Sequence, residues 1–509
     1  MILTKFNFFV FLFITLILYY ILPKRFQWII LLISSIFFLF YDNFKIETIL
    51  FILLVIVTSY ICGRLIYRYK DTKKSKIVLL IGILLILGQL IYLKYTNLFA
   101  ITLNHLFNLF DINYQFDLVS RISPLGVSYY SLIMISYLID IYRGICKPQN
   151  NILKCALFMS YFPQLTSGPF VRYNDMENKL YENHKFDYHT ICSGLIRFLW
   201  GLFKVLVISQ RLGIFVDTVY GNYTVYDGFF IVIAAMFFTL QLYTNFSGSI
   251  DIIMGASEMF GINLPENFRT PFFSKTITEF WRRWHITLGS WLKDYIFYPL
   301  LKSNVIQKLT KFCKKHLGKK ASKKIPLYLS MFIMWLIIGV WHGGAYTYII
   351  ASGILQFIFI LCEDLLEGVV KKVNKFLRID VNTFSYKLYQ CTRTFLLFSF
   401  AMIFFRATSI SNAIDIIKNA FVWNPWILLD NSSLYTAGLD MLDFRLLIIS
   451  LIVLFGIELL QRSGSVREKL FKQNIVFRWS IIYILLFAII IFGCYGPGYD
   501  ATSFIYRQF

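Results

Sequence analysis

Long apolar runs alternate with short polar breaks along this chain. The first four runs, 8–22, 26–40, 46–62 and 77–93, follow one another closely. Later ones fall at 125–141, 191–216, 229–242, 326–341, 346–362, 394–405, 446–460 and 480–492. Crossing a bilayer takes about 17–25 apolar residues, so several runs are marginal as spans or suit burial within a bundle. The pattern predicts an all-α polytopic integral membrane protein of about 10–12 transmembrane helices, with additional re-entrant and interfacial helices. The first run is long for a signal-peptide core, and no small-residue cleavage site follows it, so it is expected to be retained.

Composition narrows the class. Of 509 residues, 58% are apolar and 15% charged, which excludes a disordered chain and a water-soluble multidomain enzyme. The net charge of +22 would suggest nucleic acid as the partner of a soluble protein. Here the basic residues lie between apolar runs, as cytoplasmic loops require, and no aromatic-basic module stands apart from them. The expected partner is therefore the lipid bilayer, with no nucleic acid. Arg64, Arg68, Lys70, Lys73, Lys74 and Lys76 mark a cytoplasmic loop. Counting back, Lys24 and Arg25 fall inside, the Asp42-Asn43 turn outside, and the N-terminus is extracytoplasmic. The densest basic segment, 302–324, is also expected to be cytoplasmic, either as an orientation signal alone or in contact with anionic lipid. Eight scattered cysteines without C-x-x-C spacing indicate neither a disulfide framework nor a metal site. With no internal repeat or Pro/Ser-rich linker, residues 1–509 read as a single integral-membrane domain.

Polar groups inside such a chain are costly, so their clusters carry information. The segment 161–173 holds Pro163, Gly168 and Pro169, which prevent a continuous helix, and a single Arg172; it lines a cavity mouth or forms an ordinary interhelix loop. A second stretch runs from Gln241, Thr244 and Asn245 through Asn267 to His285. On a helical wheel, residues 280–298 place Trp281, Trp284, Leu288, Trp291 and Tyr295 on one stripe and Arg282, Arg283, Lys293 and Asp294 opposite, the pattern of an interfacial amphipathic helix. His285 falls at the stripe's edge, where a structural role competes with a chemical one. The third place is the sharpest. Between 326 and 362 the sole ionisable side chain, Tyr and Cys apart, is His342, where Trp341-His342-Gly343-Gly344 breaks an apolar hairpin. Such a histidine either takes a proton from a hydroxyl or thiol, or hydrogen-bonds a freed carbonyl.

Together these residues resemble the membrane-bound O-acyltransferase (MBOAT) family, in particular its alginate and peptidoglycan O-acetylation branch. The matching stretches, in family order, are Pro124-Leu125-Gly126-Val127-Ser128, Tyr137-Leu138-Ile139-Asp140-Ile141-Tyr142-Arg143-Gly144, Tyr161-Phe162-Pro163-Gln164 and Gly168-Pro169-Phe170-Val171-Arg172-Tyr173. Gly201-Leu202-Phe203-Lys204, Phe246-Ser247-Gly248 with Asp251, and Leu264-Pro265-Glu266-Asn267-Phe268 follow. The strongest are Phe280-Trp281-Arg282-Arg283-Trp284-His285 and Gly339-Val340-Trp341-His342-Gly343-Gly344, and Phe404-Phe405-Arg406-Ala407 extends the set. The motifs concentrate in 124–344, leaving 1–120 as a peripheral N-terminal helical part.

The resemblance implies a fold with a central tunnel, His342 as the catalytic histidine and His285 as the second, more variable one. It implies transfer of an acyl group, acetyl above all, from acetyl-CoA or another cytoplasmic thioester toward the outer face, with no bound cofactor. An extracytoplasmic SGNH-type acyltransferase would complete transfer to a polysaccharide at the cell membrane. Arg172, Asn245, Trp281, Arg283, Trp284 and Trp341 are the expected donor-binding or tunnel-lining residues. Tyr506, in an ending similar to that of the branch, is either an acyl relay or an interfacial anchor. Two rival readings are a D-alanine exporter-like acyltransferase of teichoic acid modification and a transporter or flippase for a lipid-linked sugar.

Overall fold

In hydrocarbon every backbone polar group needs a partner within the protein, and helices supply it locally. The computed structural model describes residues 1–41, 44–119, 124–165, 168–430 and 432–496, and all regular structure among them is helical. Eight of these helices are long and apolar enough to cross a membrane, and Phe6–Ile21 and Val127–Tyr142 are shorter apolar ones. The chain divides into two compact units: Met1–Gly201 with Ser249–Pro265, and Leu202–Gly248 with the described residues from Glu266 onward. The Asp42-Asn43 turn and the C-terminal segment with Tyr506 lie outside the described residues.

In the first unit, the spans Ile46–Arg68 and Lys73–Lys94 form a hairpin that packs on Val127–Tyr142. Glycines allow the approach: a Cβ at Gly82 would lie 2.8 Å from the Leu138 side chain. The proline-broken segment is buried, unlike an ordinary loop: Tyr161, Phe162, Gln164, Phe170 and Val171 are all enclosed, and Tyr129 donates to the Pro169 carbonyl at 2.6 Å. Helix Tyr188–Leu202 meets residues 249–259 backbone to backbone, since a Cβ on Gly194 would lie 2.7 Å from the Gly255 carbonyl oxygen. Beside that contact Arg197 pairs with Asp251 at 2.9 Å, and Ser193 donates to Glu258 at 2.6 Å.

The second unit opens with a π-helical stretch, Phe203–Ser209, leading into Gln210–Gly221. Wide turns of this kind leave carbonyls without intrahelical donors. Here one distant group and one side chain from the next turn supply them: the Cys494 N–H donates to the Leu206 carbonyl at 2.9 Å, and the Arg211 side chain donates to the Val207 carbonyl at 3.1 Å. The same guanidinium donates to the Phe492 carbonyl at 2.6 Å and pairs with Asp443 at 2.9 Å. One buried arginine thus ties Gln210–Gly221 to Met441–Gln461 and Ile475–Phe492.

The amphipathic stretch 280–298 differs from its expected single helix. It comprises Ile277–Arg283, an extended Trp284, Ile286–Leu292, a π-helical Lys293–Phe297 and the turn Tyr298–Leu301. The wheel nevertheless has the right inward side: Trp284, Leu288, Trp291 and Tyr295 are buried, while Arg282 and Lys293 are exposed. Backbone bonds from Arg269 N–H to the Arg283 carbonyl and from Ile286 N–H to the Asn267 carbonyl, both 2.9 Å, pull the chain out of the helix there.

Candidate active site

The apolar hairpin breaks where its sequence indicates. Helix Gly318–His342 ends on the histidine itself, and the chain resumes at Tyr346–Tyr348 and a π-helical Ile349–Ile354. The two arms are held together by glycine. A Cβ at Gly339 would lie 2.9 Å from the Ile349 Cα and 3.2 Å from the Gly353 Cα, so only hydrogen fits between the backbones. His342 sits three residues further along the clamped helix, 6% exposed, with its ring centroid 5.1 Å from that of Trp341 and 5.7 Å from that of Phe405.

His285 occupies the gap between the two short helices. Its backbone is left-handed, at φ 48 and ψ 50, a region that costs a non-glycine residue about 1–2 kcal/mol. The side chain is 5% exposed and stands edge-to-face on Phe246, ring centroids 4.9 Å apart. Its centroid lies 6.3 Å from that of Trp341, the neighbour of His342. Burial, assisted by the nearby His342, pushes the His285 imidazole down to about 3, so it is neutral at every physiological pH. Asn267, fully buried, faces it: the amide oxygen lies 3.1 Å from His285 Nδ1 and accepts from both the N–H and the hydroxyl of Thr287, at 3.1 and 2.8 Å.

An aromatic wall adjoins the histidines. Trp284 contacts Tyr243, Phe268, Phe280 and Phe398, and Trp281 packs against Trp335 at 5.0 Å while donating its indole N–H to Gln356 at 3.1 Å. Arg283 is engaged by Glu279 at 2.6 Å and by Thr270 at 3.2 Å. Asn245 is buried, and its amide oxygen has no hydrogen-bond partner among the described residues. The second unit therefore holds His342, His285, Trp341, Trp281, Trp284, Arg283 and Asn245, whereas Arg172 belongs to the first and Tyr506 lies outside the described residues. The sequence places Asn267 in a polar stretch and a family motif without giving it a role, and it does not point to Gly353, for which a glycine within an apolar run was the available signal.

Residues 147–378 match the profile of the membrane-bound O-acyltransferase family. A probable alginate O-acetylase of Pseudomonas aeruginosa is 32% identical over 461 residues, covering 89% of this chain and 81% of that protein. The chain belongs to the MBOAT family. It is an O-acyltransferase and a multi-pass membrane protein, acting on an acyl donor. A second probable alginate O-acetylase, from Pseudomonas putida, aligns over 99% of both chains at 29% identity. The peptidoglycan O-acetyltransferase of Helicobacter pylori is 28% identical, covering 76% of this chain and 72% of that protein.

Proposed function

We propose that this MBOAT protein moves acetyl groups from a cytoplasmic thioester, such as acetyl-CoA, across the cell membrane for O-acetylation of an extracellular or cell-wall polysaccharide. The observation that carries the reading is the pair of buried imidazoles beside Trp341, one at the end of a glycine-clamped helix. His342 acts as general base. The acceptor hydroxyl oxygen bonds to the acyl carbon, its proton passes to His342, and the carbon–sulfur bond breaks. The proton then returns to the leaving thiolate. Such proton transfer contributes typically about 10²–10⁴-fold, and a dry, positioned site supplies the remainder. Trp281, Trp284, Trp341 and Asn245 line the donor's path, and Arg283 lends positive charge to its binding. Residues 1–509 form one integral-membrane MBOAT domain, with the family motifs concentrated in 124–344 and a peripheral N-terminal part, 1–120. The N-terminus faces outward, and an extracytoplasmic SGNH-type acyltransferase receives the group. Acetylase relatives named for alginate and peptidoglycan support the acetyl reading. Tyr506 is the proposed relay, and mass spectrometry of the C-terminal peptide from cells lacking the outer transferase tests it: without acyl-tyrosine there, the relay fails.

His342→Ala, reaching the membrane in normal amounts, is expected to abolish alkali-releasable acetate on the cell's surface polysaccharide. Wild-type acetate in that variant refutes the reading.

A further inference from the structure

A neutral imidazole supports two opposite chemistries. With its proton on Nδ1, Nε2 is a lone pair that accepts a hydrogen bond; with the proton on Nε2, that atom is a donor suited to an oxyanion. The partner of the other nitrogen decides between them. At His285 that partner is Asn267, and the orientation of its amide is fixed by a group without rotational choice. The Thr287 backbone N–H can only donate, and it points at the Asn267 side-chain oxygen at 3.1 Å. The Thr287 hydroxyl adds a second donor at 2.8 Å. Turning the amide over would set its NH2 against that backbone N–H. The atom 3.1 Å from His285 Nδ1 is therefore an oxygen, and a nitrogen facing an oxygen acceptor must bear the proton.

We propose that Asn267 is a positioning residue that holds His285 in the Nδ1–H form, so that Nε2, on the far side of the ring, presents a lone pair to the acceptor hydroxyl. This rests on the reading of His285 and His342 as the reacting pair. It assigns them one kind of work: His342 takes the proton, and His285 orients the hydroxyl that gives it up. Stabilisation of the tetrahedral oxyanion falls to other donors. The surroundings suit the assignment. Phe246 and Trp341 flank the His285 ring, and its left-handed backbone turns the side chain toward Asn267, eighteen residues back in sequence.

The test reads the ring directly. In the full-length protein labelled with 15N-histidine, in lipid, the His285 signals are assigned by their loss in His285→Asn. The expected spectrum at pH 7 shows a protonated Nδ1 and an unprotonated Nε2. Asn267→Leu, which removes the acceptor, is expected to abolish that preference and to lower surface-polysaccharide acetate by about 10–100-fold, as removal of the outer partner does for metal-bound imidazoles. Asn267→Asp is isosteric, retains an oxygen opposite Nδ1, and is expected to restore the Nδ1–H signature. A wild-type ring protonated on Nε2 overturns the proposal. So does an Asn267→Leu spectrum indistinguishable from wild type, or one that changes while acetylation stays normal. The wild-type spectrum needs only the assignment variant, so a poorly folding Asn267→Leu leaves the proposal open to refutation. Because the tautomer is measured without turnover, a failure of the His342 reading would show separately, as acetylation surviving His342→Ala.

Discussion

A histidine that stays neutral when buried leaves a trace in the protein's own stability. The unfolded chain binds a proton at His285 near pH 6.5, whereas the folded site resists one until about pH 3. Above pH 6.5 both states are neutral and the residue contributes no pH dependence. Below it the unfolded state alone is protonated, so stability is lost as pH falls, by at most about 1.4 kcal/mol per unit. The thermal midpoint in detergent is expected to drop between pH 7.5 and 5 by less in His285→Asn than in wild type; equal drops would contradict the burial argument. Of the two imidazoles, His342 was the more legible in sequence, standing alone in a long apolar stretch. The role of Asn267 was not legible, because its partner Thr287 is 20 residues away and arrives through a backbone pairing that no periodicity records.

Between elements, backbone contact sets the position of the site. Gly339 leaves no room for a methyl group against Ile349, and the obstacle is main chain, which cannot rotate aside. Gly339→Ala is expected to cost about 1–3 kcal/mol and to reduce acetylation, because His342 rides on the displaced helix. Gly368→Ala provides the contrast: it lies within helix Leu355–Phe376 with nothing within 4 Å of the added Cβ, and is expected to be neutral or to gain about 0.4–1 kcal/mol. Melting midpoints of the two variants, side by side, check both. The hairpin break at 342–344 was legible because glycines and a lone polar group interrupt an otherwise lipid-like pattern. The continuity of 280–298 was not. A wheel reports which side faces inward, and short helices joined in phase preserve that side even when the chain between them is extended.

At the scale of the whole molecule, hydropathy made the all-helical membrane architecture legible, whereas the grouping of 249–265 with the first 201 residues depends on contacts far apart in sequence. Charge bears on orientation: the exposed lysines of Asn304–His316 are expected to face the cytoplasm. A single cysteine introduced at Lys311, in a background with Cys362 and Cys391 replaced, should react with a membrane-impermeant maleimide only in opened cells; labelling of intact cells would reverse the topology. The clasp at Arg211 also has a temporal consequence. Its carbonyl partner at Phe492 is 281 residues downstream, an interval that a ribosome covers in about 15–55 s at ordinary elongation rates. Throughout that interval the Leu206 carbonyl of the π-helical turn, whose partner is the Cys494 N–H, and the Arg211 guanidinium both await the last described helix.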